Sequence, residues 1–252
     1  MRVEVLCPIY SNISRGDLEK SVRRYIAGLL SDLEISNIRV LSFGERFMVL
    51  DIEGKDAEIA ERYLSMVMGS RHRIGNIRRG QEYAGRIQNL GEECVYVDIG
   101  IEDEVPIVVP YVSIVRGVLG ISVGESSARG IIGLLGIAKH LPFVVRIVRI
   151  EGTDIIGDIG RRTRNMLKSW LRDRRDRVIV CGLSRSQLDK KIRIAKIHRK
   201  VAHVDRLGLL EHAVVCRYGV FADDIARRLR TVGVEMCSLF MPRRAKKLAK
   251  GQ

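Results

Sequence analysis

The side chains in this sequence best suited to chemistry are its arginines and lysines. Arg161, Arg164, Lys168, Arg172 and Arg175 recur at spacings of three and four. On a helix, which turns about 100° per residue, they fall within a stripe about 80° wide. Met166, Leu167, Trp170 and Leu171 occupy the neighbouring face and would seat such a helix on the protein. Five like charges in one ridge repel one another. The ridge therefore points to phosphate contact, with a solvated face screened by salt as the alternative. A further basic patch (Lys190, Lys191, Arg193, Lys196, His198, Arg199, Lys200) contains no aromatic residue. It could hold a nucleic-acid backbone but hardly read bases.

Catalysis has no comparable pattern. Ser126-Ser127, between Gly124 and Gly130, has the look of an anion-binding turn, but no P-loop lysine follows at the right spacing. Glu102, Asp103 and Glu104 read as a solvated turn. Cys7, Cys94, Cys181, Cys216 and Cys237 stand singly inside apolar runs, without a CxxC pair or a histidine at ligand spacing. Buried, reduced thiols are expected. These residues give no reason to propose catalytic or metal-binding residues or a cofactor, and the expectation is a protein that is not an enzyme.

The net charge of +14 over 252 residues suits a polyanion, because each cation placed beside a phosphate releases a condensed counterion. At 46% hydrophobic residues the chain is globular. No run approaches the roughly 18 apolar residues of a membrane span, and MRVEVLCPIY opens as a strand rather than a signal peptide. A cytoplasmic location without membrane contact is expected. Scarce Asn and Gln beside abundant Ile, Val and Arg fit a thermophilic source.

The elements that must position these charges fall into three units, an α+β, multi-domain organisation. Residues 1–72 read as βαββα: a strand Val3 to Ile9, a helix after the cap candidates Ser14 to Asp17, strands Ile38 to Phe43 and Phe47 to Ile52, and a helix from Asp56. Residues 73–160 carry short β-rich runs, Glu82 to Leu90, Val95 to Ile101, Val105 to Val112 and Phe143 to Glu151, the rhythm of a small barrel. A Gly-rich, partly helical insertion occupies 113–140. The basic helix spans 161–176. Residues 177–242 read as βαββαβ, the ferredoxin-like order, with Ser184 capping its first helix and a last strand from Val234 to Met241. Residues 243–252 form a basic tail, expected to be solvated.

The stretch 78–115 resembles the opening of an S1 domain. Gly80, then Gly85-Arg86-Ile87, Leu90-Gly91, Val97-Asp98-Ile99-Gly100, Val109-Pro110 and Ser113-Ile114 stand at the family's spacing. The resemblance implies an OB-type barrel that binds single-stranded RNA on one face through aromatic and basic side chains. Tyr96 occupies its aromatic position and Arg86 its basic one, with Arg78 and Arg79 just upstream. Leu90 stands where an aromatic is usual, Pro110 where many members have His, and Glu92 and Glu93 lengthen the first turn. A protein-docking role for the barrel therefore stays open. The whole layout, with Leu207-Gly208-Leu209-Leu210-Glu211 followed by Val214-Val215, is also similar to an archaeal family of uncharacterised proteins.

These features point to an RNA-binding protein in translation, ribosome assembly or RNA processing. Its RNA contacts would be Arg78, Arg79, Arg86, Tyr96, Arg161, Arg164, Lys168, Arg172 and Arg175. Its partners would be single-stranded or structured RNA, the ribosome, or another nucleoprotein complex. Two alternatives remain: an interaction subunit of a larger nucleoprotein complex, and a regulatory protein whose C-terminal unit senses a small ligand between paired sheets.

Overall fold

In the computed structural model, which describes residues 1–10 and 13–251, the chain forms three packed units, a barrel and two α/β units against it. The first unit is a three-stranded antiparallel sheet, β1 (Arg2–Leu6), β3 (Phe47–Gly54) and β2 (Ile35–Phe43), with β3 central. Helix α1 (Arg15–Leu29) starts where the Ser14 hydroxyl accepts the Asp17 N–H. Its period of 3.6 buries Leu18, Val22, Tyr25 and Ile26. Helix α2 (Ala57–Met68) adds Ala60, Leu64 and Met68 to the same core.

Five strands close the barrel: β4 (Glu82–Leu90), β5 (Cys94–Asp98), β6 (Ile107–Pro110), β7 (Pro142–Glu151) and β8 (Asp154–Ile159). The order around it is β4-β5-β6-β8-β7, and β6 runs parallel to β8 while every other pair is antiparallel. This is an OB-like closure. Strand β8, which completes it, is absent from the sequence reading: Gly157 interrupts its short alternation, so periodicity alone passed over it. The insertion folds as two helices, α3 (Tyr111–Leu119) and α4 (Glu125–Ile132). The first begins inside the stretch expected to be strand, so β6 is only four residues long.

Helix α5 (Arg161–Asp173) leaves the barrel and leads to the last unit, whose antiparallel sheet has the order β10-β11-β9-β12. Its strands are β9 (Arg177–Val180), β10 (Val201–Arg206), β11 (His212–Cys216) and β12 (Cys237–Phe240), the last shorter than expected. Helices α6 (Arg185–Ile194) and α7 (Ala222–Arg230) cover one face. Ser184 and Gln187 cap α6 reciprocally. The other face is covered too: Ile179, Cys181, Ala213 and Phe240 join the barrel core. A ligand held between paired sheets would need an edge strand here, since neither face is free. The basic tail is not a loose extension through most of its length. Residues Pro242–Ala249 form α8, whose Ala245 is buried in the barrel core.

The three units meet at one buried polar cluster. Leu209 and Leu210, between β10 and β11, lie in the core of the first unit. The next residue, Glu211, is buried and binds Arg86 Nη1 of β4 at 2.8 Å. It also accepts a hydrogen bond from the Tyr10 hydroxyl. Gly208 is needed for this geometry, because a β-carbon there would stand 2.0 Å from Glu211 Oε2. Tyr10 stacks on His140, centroids 3.6 Å apart, and the His140 carbonyl accepts from Arg86 Nη1 at 3.3 Å. Burial opposes the Arg86 charge, but Glu211 outweighs it and holds the guanidinium above its ordinary value.

Removing one partner of a buried pair strands the other. Glu211→Gln should therefore destabilise the fold by about 3–5 kcal/mol in denaturant melts, and Arg86→Met added to it should recover part of the loss. Burial also pushes His140 and His212 down to about 4, so both are neutral in the fold and take up protons on unfolding. Their contribution is complete above about 6.5 and is lost as the pH falls toward 4. The His140→Gln/His212→Gln variant should show a shallower decline of stability across that window.

Candidate nucleic-acid interface

Helix α5 is seated by its apolar face and presents the other to solvent. Leu167, Trp170 and Leu171 are buried, and Trp170 meets Phe240 of β12 edge-on at 5.3 Å. The Arg177 guanidinium lies 5.1 Å from the Trp170 ring and pairs with Asp173 at the helix end. Burial raises the Asp173 carboxyl, but hydrogen bonds from Arg175 and Arg177 outweigh it and keep it below the ordinary value. Arg161, Arg162, Asn165, Lys168 and Arg172 remain exposed.

Of the five expected ridge residues, Arg161, Lys168 and Arg172 are exposed on α5, and Arg164 and Arg175 depart from the stripe. Arg164 is half-buried and runs past Gly117 of α3, its Cδ 3.8 Å from where a β-carbon on that glycine would stand. Arg175 lies beyond the helix, which ends at Asp173 and turns at Arg174 with φ 60°. Its guanidinium bonds Asp173 at 2.8 Å and stands over the Tyr218 ring, so it leaves the stripe.

The missing charge comes from the far end of the chain. Helix α8 lies beside the end of α5, with Lys246 Nζ 3.4 Å from the Leu171 carbonyl. Between them runs a groove of about 400 Å³ lined by Leu171, Arg174, Pro242, Arg243, Lys246, Lys247 and Lys250. Five of these seven are cations and none is a carboxylate. Arg244, on the other side of α8, is held by Asp223 at 3.0 Å. The sequence reading missed this groove because its two walls lie about seventy residues apart. At the opposite end of α5, some 20 Å away by helix rise, a cavity of about 520 Å³ is lined by His72, Tyr83, Glu82, Arg161 and Arg162 among others.

The barrel residues fare unequally. Arg86 is buried in the ion pair described above, so it offers nothing to a ligand, and its expected RNA contact is corrected. The motif's Asp98 is taken as well, by Arg46 of the β2–β3 turn, with Nη2 at 2.7 Å and Nε at 3.1 Å. Tyr96 stays partly exposed on the outer face, in register with Asn89 and Val108. Val108 lies opposite Ile156, so Tyr96 heads a largely apolar row. Arg78 and Arg79 are exposed before β4, and Arg78 bonds the carbonyls of Gly75 and Ile77. Glu102, Asp103 and Glu104 are exposed, and among the described residues no group of three or more His, Cys, Asp or Glu is placed to hold a metal ion. No helix among them is long and apolar enough to cross a membrane.

Trp170 anchors the helix that forms one wall of the groove. Trp170→Ala should cost about 3–5 kcal/mol of stability in thermal or denaturant melts. A cost below about 1 kcal/mol would show that α5 is held by its charges instead.

No curated protein matches the chain. One solved structure, named as that of a candidate exosome complex RNA-binding protein, is similar at 13% identity over 69% of this chain and 92% of that one, with a TM-score of 0.23. A likeness at that level carries no functional argument. The model of the DUF2110 central domain matches residues 77–171, the barrel and α5, and that of the DUF2110 C-terminal domain matches residues 175–229. Together they span more than half of the chain, which therefore belongs to the DUF2110 family.

Proposed function

We propose that this protein binds RNA without catalysis, holding the phosphate backbone in the groove between α5 and α8. The observation that carries the reading is a concave surface with five cationic side chains and no carboxylate in its lining. Mutual repulsion makes such a cluster costly unless an anion occupies it. The ridge Arg161, Lys168 and Arg172 extends the same charge along α5. We read the barrel as S1-like and the last unit as ferredoxin-like, and the setting as a ribosome or another nucleoprotein complex. Two of the polar positions of the S1-like pattern, Arg86 and Asp98, are spent on docking the neighbouring units. That shifts the main contact from the barrel to the helices.

A second reading rests on a different face. The row Tyr96, Val108 and Ile156, with Val148 beside Ile156, is largely apolar, and Glu92 and Glu93 are exposed in the turn before β5. It suits a protein partner better than a polyanion, and would make the chain an interaction subunit of a nucleoprotein complex.

Affinity for a mixed-sequence RNA should fall steeply with salt. In the Arg243→Gln/Lys246→Gln/Lys247→Gln variant, affinity should drop for all sequences alike. The slope of log affinity against log salt should become shallower by about two to three. Fluorescence anisotropy from about 50 to 200 mM salt measures both. An unchanged slope would remove the groove from the interface. Loss of RNA binding on Tyr96→Ala alone would move the contact back to the barrel.

A further inference from the structure

Tyr218 is 72% exposed and Phe221 58% exposed, an uncommon placement for two rings in a chain with 5% aromatic residues. Both stand on the turn 217–221 between β11 and α7. That turn is hydrogen-bonded: Gly219 takes φ +81° and the Val220 N–H donates to the Arg217 carbonyl at 3.0 Å. Its end is fixed by the Ala222 N–H, which donates to Asp176 Oδ2 at 3.1 Å. Ala222 and Ile225 fill the core, so neither ring is needed to hold α7 in place. The fold thus keeps two aromatic faces in water on a well-tied support.

Their neighbours belong to α5 and α8, the two helices that flank the basic groove. The Tyr218 hydroxyl reaches the Asp173 carbonyl at 3.5 Å, at the end of α5 and next to Arg174. Arg175 lies over the same ring at 5.4 Å. On the other side, two residues after Phe221, Asp223 binds Arg244 of α8 at 3.0 Å. We propose that Tyr218 and Phe221 form a base-stacking platform for single-stranded RNA whose phosphates lie in the α5–α8 groove. The inference rests on the reading above and names its substrate class. Aromatic faces beside a cationic track are how single strands are held without sequence preference, because every base has a π face and every nucleotide a phosphate. A protein partner would want an apolar surround, whereas Arg175 lies over the Tyr218 ring and Arg217 precedes it in the chain.

The test uses the full chain and two labelled probes: a mixed single-stranded RNA of about 12 nucleotides, within the usual site sizes, and a blunt RNA duplex of equal length. Bases in a duplex are stacked inside and cannot reach the rings. The Tyr218→Ala/Phe221→Ala variant should bind the single strand about tenfold or more weakly, bind the duplex as the wild type does, and keep its salt slope. Tyr218→Phe should leave both affinities unchanged. If the double variant melts early, Tyr218→Ala alone carries the same comparison. Unchanged single-strand affinity in the double variant, with the wild type binding and salt-dependent, overturns the platform and leaves the groove reading intact. That is also the result if the rings serve a protein. Equal loss for strand and duplex overturns it too, because the rings would then act through the shape of the groove. A wild-type chain that binds neither probe at low salt removes the groove reading and the platform together.

Discussion

Glu211 and Arg86 are the constraint on which the arrangement of this protein depends. A carboxylate and a guanidinium are both taken out of water, at a cost of several kcal/mol per ion that only close, well-aligned contact repays. Arg86 comes from the barrel, Glu211 from the C-terminal unit, and Tyr10, which donates to the same carboxylate, from the first unit. Separating the barrel from the C-terminal unit would leave a buried charge without its partner, and withdrawing Tyr10 would take a hydrogen bond from the carboxylate. Apolar contact between units is tolerant of small shifts, but this cluster is not, and so it sets one geometry among several that hydrophobic packing would allow.

From that geometry the groove follows. The C-terminal unit sits with its sheet against the barrel, and this puts Phe240 under Trp170 and the chain end alongside α5. Helix α8 begins immediately after β12, with Pro242 at its first turn, where a missing N–H costs nothing. Its one buried alanine docks it, and its charges have no place to go but outward. Arg174, just past the end of α5, and Arg243, Lys246, Lys247 and Lys250 at the chain end are thereby gathered around one groove, although neither helix by itself is concave.

The barrel keeps the glycine and apolar spacing read from the sequence while its polar residues are used otherwise. Its glycines and apolar positions close five strands in OB-like order. Two of its polar positions point at neighbouring units rather than solvent, because those units cover much of the outer face: the hairpin bearing Arg46 on one side, the turn bearing Glu211 on the other. Tyr96 lies outside both contacts and keeps its exposure.

The sequence by itself determined many of the local elements. Amphipathic period placed α1, α5 and α7, caps such as Ser14 and Ser184 marked helix starts, and β-rich runs between glycines marked four of the five barrel strands. These signals are legible because they rest on interactions within a few residues of chain. Charge was legible too, as a total and as the α5 ridge. What only the tertiary structure decided was which charges meet. Arg86 looked like a ligand contact until Glu211, 125 positions away, proved to be its partner. Arg175 matched the stripe until the turn at Arg174 took it to Asp173. The basic tail looked like a solvated extension until its alanine found the barrel core. Charged side chains carry no periodic signal of their partners, because an ion pair forms across space at contact distance. Their roles stay open in one dimension until folding brings the distant segments together.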